Sequence, residues 1–102
     1  MAQALVFFRG QIVPVAEAKV SIMTHALHYG TAVFEGVRGN WNETDGKLNV
    51  FRLREHYERL LRGCRIMMMD IPYDVDQLCE ITVDLAQSCG YAEDVYLSLI
   101  HI

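Results

Sequence analysis

Residues 53–90 read LREHYERLLRGCRIMMMDIPYDVDQLCEITVDLAQSCG, and the fold turns on this stretch. Leu53, Tyr57, Leu60, Leu61, Cys64, Met67 and Met68 recur at intervals of three and four, the spacing of one helical face. The helix is expected to stop before Pro72, because a residue preceding proline is pushed out of the α region. Asp74 with Gln77 three positions later has the pattern of a capping box, so a second helix starts there. Its inner stripe is Val75, Leu78, Cys79, Thr82, Leu85, Ala86 and Cys89, and Gly90 stands where a left-handed C-cap belongs.

The flanks of this stretch carry strand signals. Ala4 to Phe8 and Gln11 to Val15 are β-prone runs on either side of Arg9-Gly10, a hairpin signal. Thr31 to Arg38 places Val33 and Glu35 opposite Ala32, Phe34 and Gly36, as a strand with one polar face does. A turn at Asp45-Gly46 and the return through Leu48, Val50 and Phe51 predict a second hairpin. Asp94 to Ile102 reads as a final strand. Strands first and helices afterwards, without βαβ alternation, predict an α+β domain: an antiparallel sheet of two hairpins packed by two helices.

At 102 residues the chain is long enough for one small domain, and 52% hydrophobic with 22% charged residues argues against disorder. A net charge of −4 disfavours a nucleic-acid backbone as partner. No apolar run is long enough to span a bilayer, and the N-terminus MAQALVFFRG lacks the layout of a secretory signal, so a cytoplasmic location without a membrane is expected. Cys64, Cys79 and Cys89 show no Cys-x-x-Cys spacing and read as buried reduced thiols.

Charge is unevenly spread. Residues 52 to 65 carry five arginines against Glu55 and Glu58, whereas 70 to 94 carry acids and no base. Glu55 with Arg59 and Glu58 with Arg62 are at ion-pair spacing. Arg59, flanked by Tyr57, Leu60 and Leu61, is either a solvated partner of Glu55 or a border arginine able to grip a phosphate. The segment holding His25, His28 and Tyr29 suits either a pocket wall or a loop packed by its own rings; with no third ligand at a telling spacing, no metal site is expected.

Met23-Thr24-His25-Ala26-Leu27-His28-Tyr29-Gly30-Thr31-Ala32-Val33-Phe34-Glu35-Gly36-Val37-Arg38 resembles the opening motif of the branched-chain amino acid aminotransferases. Phe51 to Leu60 (FRLREHYERL) is similar to the family's next block, and the likeness runs from about Leu5 to Tyr96. These are class IV, fold type IV enzymes that use pyridoxal 5′-phosphate, and the resemblance implies that residues 1–96 are their small N-terminal domain. Arg59 then matches the arginine that holds the cofactor phosphate. Phe34 and Gly36 match the strand lining the substrate pocket, with Arg38 near the same wall. Tyr96 matches a tyrosine close to the substrate carboxylate. Tyr29 matches a tyrosine that a neighbouring subunit inserts into the pocket, so a homo-oligomer is implied. His25 and His28 receive no chemical role.

The implied reaction moves the amino group of leucine, isoleucine or valine to 2-oxoglutarate. It needs a Schiff-base lysine that the family carries in its larger C-terminal domain. Lys19 and Lys47 match no such position, so the chain is expected to be a fragment, inactive alone and without a catalytic residue of its own. After Tyr96 the family's Ile-Arg-Pro is expected, but Leu97 to Ile102 read LSLIHI, similar to a translated sequencing adapter, and 97–102 are suspected to be a non-native tail. A native apolar edge strand fits the same alternation. The competing readings are a non-catalytic binding module built on the same domain, or another class IV enzyme: D-amino acid aminotransferase or aminodeoxychorismate lyase.

Overall fold

The computed structural model describes residues 2–102. Strands β1 (Leu5–Phe8) and β2 (Gln11–Pro14) form the first hairpin, turning through Arg9 and Gly10, both at positive φ. A short 3-10 turn (Val15–Glu17) leads to helix α1 (His25–Tyr29), a five-residue helix in a segment whose apolar residues show no helical period. The ten-residue strand β3 (Val33–Asn42) and β4 (Lys47–Val50) make the second hairpin. Helices α2 (Leu53–Ile66) and α3 (Val75–Cys89) follow, and β5 (Val95–His101) returns to pair antiparallel with β3.

The α+β class is as expected, with one difference in the sheet. The hairpins do not merge: β1 and β2 form a sheet of their own, and β5 joins the second hairpin in a three-stranded sheet of order β4-β3-β5. The first hairpin rests instead on α3 and the residues leading into it: Gln3 N donates to Cys89 O at 2.9 Å, and Phe7 meets Tyr73, just before the helix, edge to face. Trp41 N donates to Asp94 Oδ1 at 2.7 Å and ties β3 to the segment entering β5.

Both long helices begin at their sequence signals, and α3 also ends at its own. The capping box at Asp74 and Gln77 is formed in both directions, and Gly90 caps α3 in the left-handed conformation. Helix α2 is shorter than its periodicity predicts. Met67 is its C-cap and Met68 turns left-handed, so Met68 points outward, 94% exposed, instead of extending the inner stripe.

Tyr57, Leu60 and Leu78 are the buried centre between α2 and α3, with Val33 and Leu99 packed on them from the sheet. Within this core the Thr82 hydroxyl donates to Leu78 O at 2.9 Å, and its single proton is thereby used, so the phenol of Tyr57 donates to Thr82 Oγ1. Gly63 lets the helix approach β3: a Cβ there would stand 2.7 Å from Val33 Cγ1. Cys64 is buried beside it, and burial raises its thiol pKa above the usual value; all three cysteines are free thiols.

Arg54 bonds Asp76 and so joins the cationic helix to the anionic one. The expected pairs Glu55 with Arg59 and Glu58 with Arg62 are not found among the described residues. Glu58 faces Arg54 at 3.7 Å, and Arg59 turns to the sheet, where a carboxylate shielded from water is the stronger partner.

Candidate functional site on the open face of the sheet

Side chains alternate across a strand, so β3 sends Val33, Glu35 and Val37 to one face and Phe34, Gly36 and Arg38 to the other. In register with the second set stand Ile100, Ser98 and Tyr96 of β5. This face carries no helix, leaving Phe34 73% and Tyr96 71% exposed. The ring of Tyr96 lies across Gly36, where a Cβ would collide with the phenol oxygen. Four residues singled out in the sequence (Phe34, Gly36, Arg38 and Tyr96) are thus brought together on one face, with Phe34 exposed at one end, the Tyr96 ring laid over Gly36, and Arg38 in register with Tyr96.

The opposite face reverses the ordinary polarity of a strand. Val37 is fully buried and Glu35 is pressed against α2, its side chain only 10% exposed. Arg59 grips it with a fork: Nε donates to Oε2 at 2.6 Å and NH2 to Oε1 at 2.8 Å. His56, one helical turn earlier, places Nδ1 2.8 Å from the same Oε1. The arginine hydrogen bonds pull the Glu35 pKa down to about 2 against the opposing cost of burial. Reciprocally, the carboxylate raises the Arg59 pKa.

The structure therefore sets Arg59 apart from the Phe34 surface, on the other side of β3. Its side chain stays 64% exposed, and no protein acceptor holds NH1 among the described residues. That donor set fits a phosphate, which accepts from a guanidinium along any free edge.

Tyr29 ends α1 and is also outside the cluster, 74% exposed, with its ring on His25 at 4.4 Å between centroids. His28 Nε2 donates to Ile22 O at 2.8 Å, and His25 Nδ1 lies 2.8 Å from Thr31 Oγ1. Both histidines brace α1 against the residues that flank it.

Sequence reasoning did not single out Glu35 or His56. The signal was present: an acid between two valines on a face that must pack, opposite two basic residues three apart on the facing helix.

The family model for amino-transferase class IV matches residues 32–101, the span that contains both faces of the sheet and the two long helices. A probable branched-chain-amino-acid aminotransferase of Aquifex aeolicus is 50% identical over 91 residues, covering 89% of this chain and 29% of the relative. Among solved structures, the branched-chain aminotransferase of Thermoproteus uzoniensis with norvaline is similar at 42% identity and a TM-score of 0.84, over 89% of this chain and 30% of that one. The branched-chain amino acid aminotransferase of Thermobaculum terrenum in its PLP form aligns at 37% identity and a TM-score of 0.79, over 88% and 29%. The chain thus spans about 29% of the length of the Aquifex relative.

Proposed function

The chain belongs to the class IV aminotransferases, and on that premise we propose that it is the small domain of a branched-chain amino acid aminotransferase. On this reading residues 1–96 form that domain, and Leu97 to Ile102 stand where the family's Ile-Arg-Pro is expected. The reaction is transfer of an amino group from leucine, isoleucine or valine to 2-oxoglutarate. Pyridoxal 5′-phosphate, when bound, supplies the electron sink for this exchange.

The observation that carries the proposal is the open sheet face. Phe34 and Tyr96 are large and exposed, and the missing Cβ of Gly36 lets the Tyr96 ring lie down across the strand, which together give the apolar wall that an aliphatic side chain needs. The Tyr96 phenol can donate a hydrogen bond to a substrate carboxylate, and Arg38 adds positive charge at the edge of the same face. Arg59 would hold the cofactor phosphate through the donors that Glu35 leaves free. Tyr29, at the end of α1, would serve the pocket of a second subunit.

The proposal is tested by replacing the matched 91 residues of the Aquifex relative with those of this chain. The chimera is expected to bind pyridoxal 5′-phosphate and to transaminate leucine, isoleucine and valine with 2-oxoglutarate far faster than it turns over D-alanine. A chimera that folds and binds the cofactor but prefers D-alanine, or converts neither, overturns it.

A further inference from the structure

Arg59 is the one residue proposed for phosphate contact, yet its guanidinium does not reach out from the helix unassisted. Two of its nitrogens are fixed on a single carboxylate, which comes from a different element and is nearly buried. That carboxylate is held in turn by His56 at Oε1, so it cannot swing to follow the arginine. A long side chain that stays 64% exposed would otherwise sample many rotamers.

We infer that Glu35 is a positioning residue: it anchors the Arg59 guanidinium through Nε and NH2 so that the remaining N–H donors face outward, already oriented, toward a phosphate. The inference rests on Arg59 as the phosphate contact and goes beyond it by assigning a role to a residue on the closed face of the sheet. Glu35 itself touches no ligand.

Removing the Glu35 charge has two opposing effects on an anion at Arg59. A carboxylate beside an anion site repels the anion, so removing its charge should tighten phosphate binding. Orientation predicts the opposite sign, since a freed arginine must be ordered anew when the phosphate arrives, and ordering one such side chain weakens binding by about fivefold.

The test titrates this 102-residue chain with pyridoxamine 5′-phosphate, which lacks the aldehyde that would react with Lys19 and Lys47. Chemical-shift changes give the Kd, and the Arg59 Nε–H resonance reports the fork. Glu35→Gln is expected to weaken binding about fivefold, to mobilise the Nε–H, and to have no further effect when added to Arg59→Ala. Glu35→Asp keeps the charge but is too short to hold the fork, and should weaken binding as well. If Glu35→Gln binds equally or more tightly while Arg59→Ala binds more weakly, the positioning role is overturned and the phosphate contact stands. If Arg59→Ala leaves the Kd unchanged, the phosphate contact falls and the inference with it. Wild-type chain alone gives a further check, independent of how the variants fold: at saturation the Nε–H must keep its Glu35-bonded resonance, and its loss overturns the proposal.

Discussion

The phenol oxygen of Tyr96 occupies the space that a side chain on Gly36 would need, although Gly36 pairs with Ser98 and Tyr96 with Arg38. The contact is diagonal across the ladder and depends on the absent Cβ. Because the obstacle is the tip of an exposed side chain, Gly36→Ala should cost under about 1 kcal/mol in stability. It should nevertheless displace the ring. We expect a nearly unchanged melting temperature together with a large shift of the Tyr96 ring resonances; unchanged resonances would refute the contact.

Gly63 is the contrasting case, because its Cβ would meet Val33 inside the core. Alanine gains about 1 kcal/mol of helix propensity over glycine, while overpacking costs about 1–3 kcal/mol. The second effect should win. Gly63→Ala is expected to lower stability by about 1 kcal/mol in a denaturant melt, and Val33→Ala in the same chain should cost less than it does alone.

The hydrogen bonds of Tyr57, Thr82 and Leu78 are directional, so their removals are unequal. Tyr57→Phe leaves the Thr82 hydroxyl bonded to Leu78 O and should cost about 1 kcal/mol. Thr82→Val strands a buried phenol proton and should cost about 1–3 kcal/mol. Equal losses in calorimetry would mean that the donor assignment is wrong.

How much of this was legible in advance differs by element. Helix α3 was readable to its caps, because Asp74, Gln77 and Gly90 act on their own neighbours. The partner of β5 and the separation of the first hairpin were not, since strand pairing is settled through space. Polarity misled on β3, where Phe34 faces outward and Glu35 inward. A strand rule assumes water over the polar side, and here a helix bearing Arg59 and His56 lies there instead. The choice of Glu35 over Glu55 by Arg59 has the same origin: helical spacing is visible in sequence, a carboxylate across the interface is not.

Glu35 links stability to acidity. Its pKa in the folded chain is about 2, below the usual value of 4.5. Its contribution is therefore complete above the unfolded-state value and is lost as pH falls from about 5 toward 2. With the Arg59 side open to solvent, the loss should be about 1–2 kcal/mol, less than the full shift implies. The gap between wild type and Glu35→Gln in thermal melts should narrow from pH 6 to pH 3 without closing; a constant gap would argue against the linkage.

The register that pairs Val33 with His101 also sets an order of events. Both hairpins and the α2–α3 pair join neighbours in the chain, whereas β3 meets β5 only after a loop containing two helices has closed, and such closure is slow and entropically costly. The helical pair should therefore be largely native in the folding transition state, with φ-values well above one-half for Tyr57 and Leu78 and near zero for Leu97 and Leu99. Until that closure, one edge of β3 has its backbone groups bare. A nascent or refolding chain passes through a stage in which its longest strand is a template for any extended neighbour, and its yield should fall with concentration more steeply than its final stability would suggest.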